Sequence, residues 1–327
     1  MRKYNIPIFI PHEGCPHDCL FCNQRKITGV DSSVTPDDAK RRIEEYLSTI
    51  PNSDCEIEIA YFGGSFTGLE KSLQREFLEA AASFNDPRIT GIRMSTRPDY
   101  INTEILDQCA EFGVTAIELG VQTTSDDVLQ LNKRGHSFSD VKKASKLIQN
   151  YGIGLGLQMM LGMYGSDPAT DLKTCDDIIS LSPSCTRIYP TLVLSGTELE
   201  SLYNAGEYTP YTIETAAVVA AECLEKFRQN DIDVIRIGLY SSDDLRAEGN
   251  IVAGPFHPAF GEITENLLYR RRIEDKIIRQ NIKNQTLEIL AAPSEVSKII
   301  GQKRCNKLYF KQKYGVDIDI KVVPKNS

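Results

Sequence analysis

Cys15-Pro16-His17-Asp18-Cys19-Leu20-Phe21-Cys22 sets three cysteines within eight residues, shortly after the apolar run Ile6-Pro7-Ile8-Phe9-Ile10. The run reads as a buried strand that delivers the thiols into a short loop. Three thiolates this close together in a reducing cell hold metal. A structural zinc ion needs a fourth ligand, which His12 or His17 could supply, but the spacing C-x3-C-x2-C differs from the paired C-x2-C of zinc ribbons. On a four-iron cluster, three thiolates leave one iron without a protein ligand, and that iron can bind a substrate or cofactor.

Working outward, 327 residues allow one large domain of roughly 200 to 250 residues plus a small one. A hydrophobic fraction of 41% and a charged fraction of 25% are ordinary for a globular protein. No apolar stretch approaches the ~20 residues of a membrane span. Met1-Arg2-Lys3-Tyr4-Asn5 leads into a strand and not into a signal-peptide core, so the expectation is a cytoplasmic protein without a membrane partner. Cys55, Cys109, Cys175, Cys185, Cys223 and Cys305 show no pairing pattern and read as reduced thiols. The net charge of −8 is uneven: Arg270 to Ser327 carries 14 Lys+Arg against 6 Asp+Glu, leaving 23 against 39 in the rest. A basic end on an acidic body suits a local anionic partner, nucleic acid first, or else a solvated helix face.

Strand-like segments alternate with helical ones. Thr35-Pro36-Asp37-Asp38 reads as a helix cap. The strands end at Gly63-Gly64, at Ser95-Thr96-Arg97 before Pro98, at Gly120-Val121-Gln122, at Gln158 to Leu161 and at Thr191-Leu192. With the first strand this makes six strand-helix units. Such alternation implies a parallel sheet with right-handed crossovers, and six units fall short of the eight that close a full barrel. The fold class expected is α/β, a partial (β/α)6 barrel, with chemistry at the C-terminal ends of its strands. A helix from Tyr211 to Gln229 and a strand from Ile232 to Leu239 are expected to cover the open side. Residues 1–200 read as the barrel, 201–280 as a C-terminal extension and 281–327 as a small basic module.

Three stretches bear a family resemblance. The cysteine loop, with Phe21 as its aromatic, resembles the C-x3-C-x-aromatic-C loop of the radical S-adenosylmethionine (radical SAM) superfamily. Glu118-Leu119-Gly120-Val121-Gln122-Thr123, followed by Asn132-Lys133-Arg134-Gly135-His136, resembles a stretch shared by the catalytic subunit of Elongator and oxygen-independent coproporphyrinogen oxidase. Ser95-Thr96-Arg97-Pro98-Asp99-Tyr100 and Arg187 to Thr197 resemble the Elongator subunit most. The resemblance, over roughly residues 6 to 240, implies a [4Fe-4S] cluster on Cys15, Cys19 and Cys22. It also implies S-adenosylmethionine cleaved there to a 5′-deoxyadenosyl radical. It implies that Gly63, Gly64 and Ser65 lie at the cofactor's amino group, where Ser65 stands in place of the superfamily's Glu, and that Ser95 falls where relatives carry another Glu. Gln122 would bond the ribose, Arg134 would pair with the cofactor carboxylate, and Gln158 would add a ribose contact. An amide can donate and accept toward a diol, and guanidinium forms a forked pair with carboxylate. His136 reads as a packing or capping residue before a catalytic one. The 88 residues after Leu239 are too few for the Elongator subunit's acetyltransferase domain beside the tail, so acetyl transfer is not carried over.

In the tail, a strand, a helix start, the turn Ile299 to Arg304, a helix and a last strand resemble a minimal KH module, whose G-x-x-G loop clamps a nucleic-acid backbone. Gly301 keeps the first glycine, Arg304 replaces the last, and Lys303, Arg304 and Lys307 are the expected RNA contacts. The reading that follows is an RNA-modifying radical SAM enzyme, a transferase acting on tRNA first, reduced by a ferredoxin or flavodoxin. The alternatives are a small-molecule oxidase or transferase of the coproporphyrinogen type, and a non-catalytic iron-sulfur RNA-binding protein. A merely sensory cluster has no need of a nucleoside pocket, which Gln122 and Arg134 imply.

Overall fold

The computed structural model describes residues 2–10, 15, 19–23, 34–51, 54–240 and 243–323. His12 and His17 lie outside these residues. The backbone alternates as the sequence predicts: β1 (Arg2–Ile10), α1 (Pro36–Thr49), β2 (Cys55–Gly63), α2 (Lys71–Ala82), β3 (Ile89–Thr96), α3 (Thr103–Glu111), β4 (Val114–Gln122), α4 (Asp126–Leu131), α5 (Phe138–Asn150), β5 (Gly154–Leu161), α6 (Pro168–Ser180) and β6 (Cys185–Pro190). Thr35 caps α1 in a capping box with Asp38, and Pro36 takes the first turn. Beyond β6 come β7 (Val193–Leu194), α7 (Glu198–Asn204), α8 (Ile213–Gln229), β8 (Asp233–Ile237), α9 (Asp243–Arg246), β9 (Ile251–Ala253) and α10 (Phe260–Arg279).

The main sheet has seven strands in the order β1-β2-β3-β4-β5-β6-β8, and every neighbouring pair is parallel. The sheet curls into a half-barrel, as a partial radical SAM barrel does. One reading changes: the strand expected to cover the open side instead pairs with β6, Cys185 opposite Asp233, and α8 is its crossover. The reason is that the Ala-rich buried face of α8 packs on the sheet as the earlier helices do, so one more right-handed crossover extends it.

Period-two alternation sorts each strand. Ile8, Ile59, Met94, Leu119, Leu157 and Ile188 face the helices in one apolar core. The alternate positions face the inside of the curl, and there the side chains are polar: Glu58, Arg93, Glu118, Gln158 and Arg187. No helix among the described residues is long and apolar enough to cross a membrane.

The tail forms β10 (Thr286–Ala291), α11 (Val296–Ile300), a 3-10 turn at Gln302–Arg304, α12 (Cys305–Tyr314) and β11 (Asp317–Val322). The two strands pair parallel, Leu287 beside Ile318, as two intervening helices permit. Leu287, Ile299, Phe310 and Ile318 form a small core into which α10 inserts Ile273 and Ile277, so the tail is built on the end of that helix.

Candidate active site at the mouth of the half-barrel

The ends of β1 and β2 meet closely. Gly63 sits opposite Ile10 at φ +108°, and a Cβ on it would come within 2.7 Å of the Ile10 carbonyl. The Gly64 N–H donates to that same oxygen at 2.7 Å. Only glycine tolerates both the dihedral and the approach. The turn brings Ser65 under Cys15, whose thiol burial and Cys19 push above its ordinary pKa by more than the Ser65 backbone, Arg97 and Arg134 pull it down. The Ser65 hydroxyl is spoken for: it lies 2.9 Å from Thr96 Oγ1 and accepts from the Arg97 N–H at 3.3 Å. Its backbone, not its side chain, faces the loop.

The cysteine loop is docked from two sides. The Leu20 N–H reaches the Asn132 carbonyl at 3.4 Å, and the Leu199 N–H donates to the Leu20 carbonyl at 2.9 Å. Leu20 and Phe21 pack with Val193, Leu199, Tyr208 and Ala253. None of the nine cysteines is bridged. Cys15 lies close enough to Cys19 to feel its charge, and the Cys22 N–H bonds the Cys19 carbonyl at 3.0 Å. Among the described residues, no group of three His, Cys, Asp or Glu side chains is placed to hold a metal ion.

α4 ends where Lys133 adopts φ 55° and the Arg134 N–H caps the Leu129 carbonyl at 3.0 Å. This reversal sends Arg134 inward. Its Nη1 donates to Cys19 Sγ at 3.3 Å and its Nη2 to the Gly120 carbonyl at 2.7 Å, while Nε is buried without a partner. Gly120 leaves the room: a Cβ there would sit 3.0 Å from Gln122 Nε2 and 3.4 Å from Arg134 Nη2. Gln122 itself has φ 69°, strained for a long side chain, and its Oε1 is buried without a partner. Arg97, which sequence reasoning did not place in the site, is 4% exposed. It pairs with Asp99 at 3.0 Å and donates to the Arg134 carbonyl, fixing the reversal from below. His136 packs: its Nε2 lies 3.3 Å from the Val121 carbonyl, and burial, Arg134 and Arg97 push its pKa down to about 4, so the ring is neutral.

Ser95 and Gln158 are brought together, with Gln158 Nε2 donating to Ser95 Oγ at 3.2 Å and to Glu118 Oε2 at 2.9 Å. Glu118, also missed, is 1% exposed and takes two bonds from Arg187 and one from Arg93 at 3.2 Å. Burial alone would raise its pKa, yet Arg187, Gln158 and Arg93 hold it below the usual carboxylate range. Strand alternation could have pointed to this cluster, because Glu118, Gly120 and Gln122 share one face of β4.

In the tail, Gly301 has φ 75° and its Cβ position lies 2.5 Å from Cys305 Sγ. Lys303 and Arg304 are left-handed and exposed, and Lys307 is half-buried. Lys311 and Lys313 are occupied by Asp317 at 2.6 Å and Glu274 at 2.8 Å. Among the described residues Lys303, Arg304 and Lys307 make no ion pair. The outer sheet face sets Glu288 beside Asp319, so it adds acidic charge, whereas the turn and the start of α12 carry Lys303, Arg304 and Lys307.

The radical SAM superfamily pattern matches residues 9–178, and the pattern of the radical SAM C-terminal domain matches residues 183–270. The chain belongs to the radical SAM superfamily. Members of that superfamily use a [4Fe-4S] cluster and S-adenosylmethionine. The chain is 30% identical over 252 residues to a tRNA uridine(34) acetyltransferase of Methanocaldococcus jannaschii, covering 64% of this chain and 46% of the relative. It is 28% identical over 207 residues to Elongator complex protein 3 of Saccharomyces cerevisiae, covering 57% of this chain and 37% of that protein. Among solved structures, Methanocaldococcus infernus Elp3 with an N-terminal deletion superposes with a TM-score of 0.62 at 26% identity, covering 84% of this chain and 63% of that one. The chain thus spans under half the length of these two curated relatives.

Proposed function

We propose that this superfamily member is a radical SAM enzyme that modifies RNA, tRNA first. In this reading a [4Fe-4S] cluster sits on Cys15, Cys19 and Cys22, and S-adenosylmethionine is held over it by residues 1–200. One observation carries the reading: Arg134, nine-tenths buried, spans Cys19 Sγ and the Gly120 carbonyl with its Nε left unpartnered. A buried guanidinium beside a thiolate loop calls for a further anion, and the carboxylate of an amino-acid cofactor supplies one. The orphan oxygen of Gln122 fits the same ligand, because a buried acceptor wants a donor and a ribose hydroxyl is one. The donor set fits the cluster as well, three thiols in one loop at a strand end.

When bound, the two cofactors together supply one-electron chemistry that takes hydrogen from carbon, which no side chain can do. The protein's own residues bind, orient and exclude water. Ser65's backbone, Arg97 and Arg134 favour the Cys15 thiolate against the burial that opposes it. Arg134 pairs with the carboxylate, Gln122 and Gln158 face the ribose, and Gly63 and Gly64 let the backbone approach the amino group. Phe21 and the 193–199 segment keep water from the loop. Residues 201–280 brace the mouth, and 281–327 hold RNA through Lys303, Arg304 and Lys307 around Gly301. A ferredoxin- or flavodoxin-like protein delivers the electron. The name of the Methanocaldococcus jannaschii relative supports tRNA as the substrate class. Mass spectrometry of tRNA nucleosides from cells with and without the gene tests it: one nucleoside should disappear or lose its modification, and identical profiles would contradict the reading.

A further inference from the structure

Gln158 stands beside Gly120 in the β4–β5 register, and its amide is committed on one side only. Both hydrogens of Nε2 are used, one on Glu118 Oε2 at 2.9 Å and one on Ser95 Oγ at 3.2 Å. An amide placed either way round looks nearly the same, but a carboxylate only accepts, so the group turned toward Glu118 has to be the nitrogen. Glu118 cannot soften this choice. It is 1% exposed, and Arg187 grips both its oxygens, Nε on Oε2 at 2.5 Å and Nη2 on Oε1 at 2.8 Å, while Arg93 adds a third donor at 3.2 Å. Those arginines are locked in turn, Arg93 by Glu58 at 2.9 Å and Arg187 over the Phe62 ring. What remains of Gln158 is Oε1, a pure acceptor with no hydrogen bond among the described residues. On the adjacent strand, Gln122 Oε1 is a second acceptor, buried and unpartnered. The mouth therefore offers one amide oxygen fixed as an acceptor, at Gln158, beside a second amide, at Gln122, whose oxygen is buried without a partner, and asks its ligand for a hydrogen.

We infer that Glu118 is a positioning residue: with Arg93 and Arg187 it presets Gln158 as an acceptor and so makes the site select a ligand that donates from its hydroxyls, the ribose diol of the adenosyl cofactor. This rests on the reading that S-adenosylmethionine sits over the cysteine loop. A network serving only stability would bury and neutralise the same charges, but it would have no effect on which ligand polarity the mouth prefers.

Fluorine separates the two, being close to hydroxyl in size but without a hydrogen to donate. Equilibrium dialysis on anaerobically reconstituted full-length protein would compare S-adenosylmethionine with its 2′-deoxy-2′-fluoro and 3′-deoxy-3′-fluoro analogues. The wild type should bind at least one analogue about tenfold more weakly, the loss expected when a built acceptor meets no donor. Glu118→Gln should narrow that ratio to within about threefold, the scale of one weakened hydrogen bond, because the introduced amide can donate to Gln158 Oε1 and turn that side chain around. Glu118→Asp keeps the charge between the arginines but withdraws it from Gln158, so it narrows the ratio even if Glu118→Gln fails to fold. Gln158→Met, which removes the acceptor, should do the same. A ratio unchanged in these variants, with S-adenosylmethionine still bound, would overturn the inference alone. Wild-type protein that binds no S-adenosylmethionine would overturn the cofactor reading and this inference with it.

Discussion

Arg134 reaches its place because the chain reverses at Lys133, and its three nitrogens are aimed at a thiol, a carbonyl and nothing in the protein. Arg134→Ala should weaken S-adenosylmethionine binding by about 2 to 4 kcal/mol, the range for removing a charge-assisted pair and leaving its partner unsatisfied. The cluster's absorption spectrum should persist, and an unchanged dissociation constant would place the carboxylate elsewhere. Arg187 carries a different load. Arg187→Ala leaves Glu118 buried with half its partners gone, which should cost about 3 to 5 kcal/mol of stability by chemical denaturation. A loss below about 1 kcal/mol would mean that Arg93 and Gln158 suffice. At this scale the sequence was uneven: Gln122 and Arg134 stand at recognisable spacing, whereas Glu118, Arg93 and Arg187 look like ordinary strand residues. Alternation sets Glu118 on the face of β4 that carries Gln122, but its partners depend on a curl that puts three strands around one point.

The loop after β5 shows how an element is held at the mouth. Asp171, in the first turn of α6, accepts from the Gly162 N–H at 2.9 Å, from Ser166 at 2.6 Å and from Tyr211 at 3.0 Å. Burial outweighs these bonds and pushes the Asp171 carboxyl up to about 6 from 3.8. The native state thus binds this proton more tightly than the unfolded chain does. The associated stability is complete below pH 3.8 and is lost as pH rises through about 6. Denaturation at about pH 5 and about pH 7.5 should show the wild type losing about 1 kcal/mol relative to Asp171→Asn over that interval. A constant difference would mean that the group does not titrate there. Element boundaries were mostly legible, because caps such as Thr35 and stops such as Pro98 act locally. β8 was misplaced for a non-local reason, since pairing with β6 depends on the packing of α8 and not on its own five residues.

For the whole molecule, the half-barrel and its site were legible because alternation and motif order agree, while the tail's dependence on Ile273 and Ile277 of α10 was not. That shared core separates two roles for the basic end. If the tail holds RNA, changing Lys303 and Arg304 together to Glu should weaken tRNA binding and make its salt dependence shallower, by about 0.7 in log-log slope for each phosphate no longer neutralised. Cofactor cleavage without RNA should be unaffected, because neither side chain joins the tail core. A loss of cluster and stability at unchanged RNA affinity would instead make the tail a docking element. The account as a whole rests on what the three thiols hold. Metal analysis of anaerobically reconstituted protein tests that directly: about four irons per chain, absent when Cys15, Cys19 or Cys22 becomes Ala, is the expected result, and stoichiometric zinc after anaerobic purification would contradict it.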